Sequence, residues 1–442
     1  MKTPIYNFVK RYAQKDISRF HMPGHKGKAF LGCERCDITE ISGADVLYSA
    51  DGIIALSENN ASSLFGTAHT FYSAEGSSLA IKAMLALAAE NTEKPLFLAA
   101  RNAHKAFIHA AALLDADINW IYPTCFSHPC VCRITADDVQ AALNDTNQKP
   151  NAVFITSPDY LGNIADIKGI AEVCHSADVP LLVDNAHGAY LKFLETDTHP
   201  ITLGADMCCD SAHKTLPVLT GGAYLHIGKN AERYVIRARD MLSVFASTSP
   251  SYLILQSLDI CNKYLSGGYR GKLEKTVKKV SEVTERLNKN GYFTVCGEPL
   301  KIVINTAKSG VDTEKAVRSL RRYNIEPEFY DRDYLVLMAS PENTARDFER
   351  LLSALPPIKN KKRAAALPPE FKKPKQVLSV RRAIFAECEK VNIDKAIRKI
   401  CASPTVSCPP AVPIVVSGEL IDTDITALLK YYGVTEINVI KE

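Results

Sequence analysis

Five short apolar runs between residues 95 and 227 constrain the fold of this chain more than any other feature. They are Pro95-Leu-Phe-Leu-Ala-Ala100, Ala152-Val-Phe-Ile-Thr156, Leu181-Leu-Val-Asp184, Met207-Cys-Cys-Asp210 and Gly222-Ala-Tyr-Leu-His-Ile227. Runs this short suit strands buried on both faces better than helices. Helix-length stretches at 79–89, 105–114 and 167–176 alternate with them, the first apolar on every side and opening at a Gly-Ser-Ser turn. This alternation predicts an α/β domain with a largely parallel sheet. In such sheets ligands sit beyond the carboxyl ends of the strands, so residues at those ends are the first candidates for chemistry.

The rest of the chain divides around that domain. Residues 1–60 read as an arm, irregular after a short opening helix and containing His21-Met-Pro-Gly-His-Lys-Gly27. The large domain is expected over 61–285, ending in a mostly helical stretch. Residues 286–358 alternate strand, helix, strand, helix and predict a small α+β domain. A connection over 359–376 carries the basic run Lys359-Asn-Lys-Lys-Arg363, and a last unit at 377–442 holds the apolar strand Val412-Pro-Ile-Val-Val416. A basic run of that length reads as a solvated linker.

Composition excludes several classes. A formal charge of +4 from 53 basic and 49 acidic residues gives no nucleic-acid stripe. No run approaches a membrane span, and the first residues lack a secretory pattern. Thirteen cysteines, an odd and scattered set, predict reduced thiols in the cytoplasm. Cys33-Glu-Arg-Cys36 has the spacing of half a zinc site or a redox pair. No second such pair completes a zinc site, and Cys130-Val-Cys132 and Cys208-Cys209 are unsuitable, so no metal is expected.

Two strand ends carry chemistry together. Asp184 closes one apolar run, and Ser211-Ala-His-Lys-Thr215 follows another. A lysine among phosphate-binding residue types, downstream of such an aspartate, is what pyridoxal 5'-phosphate requires. Lys214 forms the covalent link to the aldehyde, and Asp184 keeps the pyridine nitrogen protonated. Gly76, Ser77 and Ser78 open the apolar helix where N–H groups and the macrodipole favour a phosphate, and Ser211 and His213 complete the set. Taken alone that turn is equally a serine helix cap. His104, at a strand-to-helix junction, suits a flat neighbour for the ring and serves equally well as a core histidine. Ala186 is small enough for close packing on the other face. Asp184-Asn-Ala-His187 also has the form of a helicase box, but the phosphate loop that box requires is missing.

On these residues the chain resembles the pyridoxal-phosphate-dependent ornithine/lysine/arginine decarboxylase family. The resemblance runs through His21 to Gly27, Asp37-Ile-Thr-Glu-Ile41, Phe65-Gly-Thr-Ala-His-Thr-Phe71, Arg101-Asn-Ala-His-Lys105, Ser157-Pro-Asp-Tyr-Leu-Gly162, the Asp184 and Lys214 motifs, Leu216-Pro-Val-Leu-Thr220 and Ser247-Thr-Ser-Pro-Ser-Tyr252, in family order. It implies a fold-type I, aspartate-aminotransferase-like large domain, Lys214 as the covalent anchor, Asp184 at the ring nitrogen and His104 stacked on the ring. It also implies Ser77, Ser78, Ser211 and His213 around the phosphate, a homodimer or multiple of dimers, and Ser249 reaching the neighbouring subunit's phosphate. The substrate is then a small basic amino acid, with arginine or lysine favoured over ornithine, and Lys214 or His213 returns the proton to Cα.

Three departures from the family pattern stand out. Asn185 replaces the usual glutamate. Val416-Ser-Gly-Glu419 lacks a proline, and Ala411 stands where glycine is common, which weakens Glu419 as the contact for the substrate's distal cation. The N-terminal wing of the long acid-stress enzymes is missing, which places the chain with the short, biosynthetic-type branch. An aminotransferase or lyase on the same scaffold, and a cofactor-binding paralogue without turnover, are the competing readings.

Overall fold

In a computed structural model, residues 1–124, 132–295, 297–359, 368–407 and 412–441 are described. Cys130, Ala411 and most of the basic run at 359–363 fall outside them.

Seven strands form the main sheet: β1 (His69–Ser73), β2 (Leu96–Ala100), β3 (Asp117–Ile121), β4 (Ala152–Thr156), β5 (Leu181–Asp184), β6 (Met207–Asp210) and β7 (Ala223–Ile227). Their order is β1-β7-β6-β5-β4-β2-β3. β5 and β6 run parallel, with Asp184 opposite Cys209, and β7 runs antiparallel to both β6 and β1. The sheet is mainly parallel, as the alternating pattern predicts, and β2, β5, β6 and β7 are buried along their whole length. β1 and β3 were not anticipated. β1 carries the polar His69 and Thr70, and β3 is only partly buried, so neither has the continuous apolar signature.

The chain forms two compact units. The first holds Met1–Phe97, Val139–Ile155 and Asp166–Arg270; the second holds Leu98–Asp138, Thr156–Ala165 and Gly271–Glu442.

In the first unit, helix α1 (Pro4–Gln14) has proline in its first turn but no capping side chain at Thr3. Its amides are served from afar, Tyr6 N donating to Asp259 Oδ2 at 2.9 Å. Helix α2 (Ile53–Phe65) begins inside the stretch read as an irregular arm. Asp45 makes that start possible, its Oδ2 accepting from Gly52 N at 2.9 Å and Ile54 N at 2.8 Å. Gly66 ends α2 at φ 72°, a left-handed position that glycine adopts freely. Helix α3 (Ser77–Ala88) buries Leu79, Ile81, Met84 and Leu85 on different faces, as an interior helix must.

In the second unit, helix α4 (Lys105–Leu113) follows β2. An antiparallel sheet in the order β10-β11-β9-β8 joins β8 (Phe293–Val295), β9 (Lys301–Asn305), β10 (Phe329–Tyr330) and β11 (Tyr334–Met338). Its core packs Ile304, Leu335, Val317, Leu320 and Leu355 together. A separate cluster of Ile414, Val415, Ile421, Leu429 and Val439 forms the core of the C-terminal segment.

Candidate active site

The parallel pairing of β5 and β6 puts Asp184 and the start of the Ser211 motif at neighbouring carboxyl ends. Asp184 is buried, and its Oδ1 accepts from Ala186 N at 3.1 Å and from the Cys209 thiol at 3.6 Å. Ala186 is buried beside it. The turn after Asp184 is tight: a Cβ on Gly188 would lie 2.0 Å from Asn185 Oδ1, so a larger residue there would displace the Asn185 side chain.

The structure brings the two serine motifs together. Ser211 Oγ donates to Ser77 Oγ at 2.8 Å. Ser77 opens α3 behind Gly76, whose φ of 72° and ψ of 178° belong to glycine and which supplies no capping side chain. The first-turn amides of an uncapped helix are anion donors. Ser247 N donates to Glu75 Oε1 at 2.7 Å, and Ser249 N donates to Ser247 Oγ at 3.2 Å. Ser249 is therefore tied, within its own chain, to the segment that precedes Gly76.

Lys214 lies in a single helical turn, Ala212–Thr215, and its Nζ is 3.1 Å from His187 Nε2. His213, the other expected proton carrier, directs Nδ1 to Gly222 O at 2.9 Å. The histidine at the lysine is thus His187, which the motif contains three residues after Asp184 but which the sequence reading did not single out. A buried carboxylate, a small residue, an amine and an uncapped helix start with two bonded hydroxyls form a donor set that fits pyridoxal phosphate, its ring nitrogen, ring face, aldehyde and phosphate respectively.

Asp210, also unforeseen, explains Asn185. Asn185 Nδ2 donates to Asp210 Oδ1 at 2.6 Å, and the imidazoles of His199 and His226 reach Asp210 Oδ2 at 3.0 and 3.1 Å. Burial alone would raise the Asp210 carboxyl, but the two imidazoles outweigh it and hold the group well below the usual range. A second carboxylate at position 185 would face this one, whereas an amide donates to it. His199, Cys208 and Asp210 also bring ligand-type atoms within 4.8 Å of one another. The Asp210 carboxylate is already engaged by the two histidines and the amide.

His104 and Glu419 lie in the second unit. His104 caps α4, its Nδ1 accepting from Ala106 N at 3.2 Å. Glu419, the expected contact for the substrate's distal cation, is engaged within the second unit. It is buried, its carboxylate accepts from Arg101 Nη1 and Nη2 at 2.6 and 2.8 Å, and Val416 N donates to its Oε2 at 2.8 Å. No disulfide joins the described cysteines, and no described helix is long and apolar enough to cross a membrane.

The family model for the Orn/Lys/Arg decarboxylase major domain matches residues 3–339, and that for the C-terminal domain matches 360–438. The arginine decarboxylase of Bacillus subtilis is 30% identical over 455 residues, covering 95% of this chain and 91% of the relative. The lysine decarboxylase of Francisella novicida superposes with a TM-score of 0.83 at 19% identity, covering 99% of this chain and 81% of that one. The constitutive lysine decarboxylase of E. coli gives a TM-score of 0.79 at 18% identity, covering 100% and 82%. At those identities the two structures establish the fold, that of fold-type I pyridoxal-phosphate enzymes.

Proposed function

This chain belongs to the Orn/Lys/Arg decarboxylase family, and on that premise we propose that it holds pyridoxal 5'-phosphate at Lys214 and decarboxylates arginine to agmatine. Decarboxylation of a basic amino acid is the family's reaction. Arginine is favoured because the relative with 30% identity along nearly the whole chain is an arginine decarboxylase, whereas a lysine decarboxylase of Pseudomonas aeruginosa is 23% identical over 66% of the chain.

The observation that carries the site is the approach of Lys214 Nζ to His187 Nε2 at 3.1 Å, on the turn that begins at buried Asp184. When bound, the cofactor supplies an electron-accepting ring for the pair left by the departing carboxylate. Asp184 presents its carboxylate to the protonated ring nitrogen and stabilises that charge electrostatically. Ala186 is small enough for close packing on the ring, and His104 is proposed as a stacking neighbour. The α3 amides with the Ser77 and Ser211 hydroxyls would hold the phosphate. Lys214 Nζ returns a proton to Cα and exchanges it with His187 Nε2. His213 is assigned to the phosphate end.

The arm supports a homodimer. Phe20 and Leu31 are 98% and 90% exposed, with Phe30 and Met22 also largely uncovered. Four large apolar side chains within twelve residues form a surface that a second copy would cover. We assign the protein to the cytoplasm, in keeping with the free thiols among its described cysteines.

The test is product analysis after separate incubation with arginine, lysine and ornithine. Agmatine with an equal amount of carbon dioxide supports the proposal. Another amine reassigns the substrate, a keto acid makes the protein an aminotransferase, and no product despite bound cofactor sinks catalysis.

A further inference from the structure

The C-terminal segment grips helix α4 at both ends. At the leading end, Arg101 stands three residues before His104 and is fully buried. Its guanidinium is bidentate on Glu419 at 2.6 and 2.8 Å, its Nε donates to Pro413 O at 3.2 Å, and it lies over the Trp120 ring, 4.9 Å from the centroid. At the trailing end, Arg381, from the helix Val380–Ile384, donates through Nη1 to the carbonyls of Ala112 and Leu113 at 3.0 and 3.3 Å. Those carbonyls belong to the last turn, which a helix leaves without internal partners.

We infer that the C-terminal segment is a clamp that positions α4 and, through it, the His104 ring, with Arg101, Glu419 and Arg381 as positioning residues. This rests on the proposed reading of His104 as the cofactor's stacking neighbour. The geometry explains why a charged pair is kept in a dry interior. Burying two charges costs desolvation that their attraction barely offsets, so such a pair adds little stability over apolar residues. A planar, bidentate fork does impose one orientation, which a hydrophobic contact does not. The turn that carries the fork is short: Arg101 N donates to Ile121 O, Ala103 N to Ala100 O, and Phe107 N to His104 O at 3.1, 3.1 and 2.9 Å. A displaced Arg101 therefore carries the His104 backbone with it.

Two readouts test the clamp in the full-length chain. The first is amide hydrogen exchange in cofactor-free protein, comparing wild type with Glu419→Gln and Arg381→Ala. Exchange over residues 105–113 is expected to speed at least about tenfold, with the amides of α3 unchanged. The second is kinetics with cofactor. Glu419→Gln is expected to lower kcat about tenfold or more while leaving the arginine-to-lysine ratio of kcat/KM within about twofold, and to add less than about twofold in a His104→Ala background. Unchanged exchange in α4, a shifted substrate ratio, or a loss undiminished without His104 would each overturn the clamp. If Glu419→Gln does not fold, Arg381→Ala, altered at an exposed side chain, gives the exchange reading alone. Absence of turnover in every protein would defeat the proposed function and leave the exchange result standing.

Discussion

The hydroxyls of Ser77 and Ser211 meet at 2.8 Å although 134 residues separate them in the chain. One sits at the start of α3 and the other just beyond β6, so a single contact joins the helix-end amides to the motif that carries Lys214. For the assigned phosphate site, this means that the anion and the covalent anchor are placed by one rigid junction. Ser77→Ala and Ser211→Ala should each weaken pyridoxal phosphate by about 1–2 kcal/mol, roughly five- to thirtyfold in Kd. The double variant should cost less than the sum, because each hydroxyl orients the other. Equilibrium titration of the cofactor's absorbance checks both.

His187→Phe tests the proton partner of Lys214. The ring volume is roughly kept while the nitrogen at 3.1 Å from Nζ is removed. The cofactor should still bind, and kcat should fall by about 10²-fold. His213→Phe should instead raise the Kd for the cofactor more than it lowers kcat at saturation.

Asp259 sets a pH dependence of stability. Burial lifts its carboxyl from 3.8 to about 6, opposed by hydrogen bonds from Ser57 Oγ and from the Tyr6 and Ile5 amides. Between pH 4 and 6 the folded protein then binds more protons at this group than the unfolded chain does. Stability contributed by this group is present at pH 4 and falls as pH rises through 6. Relative to Asp259→Asn, which does not titrate, the wild type should gain up to about 3 kcal/mol on going from pH 7 to pH 4. Parallel denaturant melts at the two pH values measure it; a constant difference would contradict the burial argument.

Phe20→Ser with Leu31→Ser tests the arm. The double variant should shift sedimentation toward monomer at micromolar concentration, without change in the far-ultraviolet circular dichroism. Retention of the wild-type assembly would show that the exposed apolar arm is not the contact between copies.

Legibility differed by element for physical reasons. β2 and β4 to β7 were readable because strands buried on both faces are apolar throughout; β1 and β3, half polar or half exposed, carry no such signal. The start of α2 was hidden because its cap is Asp45, held outside the helix, rather than a residue in the helix's own first turn. Asp184, Ala186, Ser77, Ser211 and Lys214 could be proposed together from sequence because each lies near a strand or helix end, and the Ser77–Ser211 contact is the part the structure shows. His187 lies in the same motif, three residues after Asp184. Asp210, whose partners sit on separate elements, and the Arg101–Glu419 pair, 318 residues apart, were not readable, since only packing brings them together.

Borohydride reduction of the cofactor-loaded protein, followed by peptide mass spectrometry, tests the central assignment most directly. The account requires the pyridoxyl group on the peptide that contains Lys214, and its loss in Lys214→Ala. A pyridoxyl group on another lysine, or none while cofactor remains bound, would contradict it.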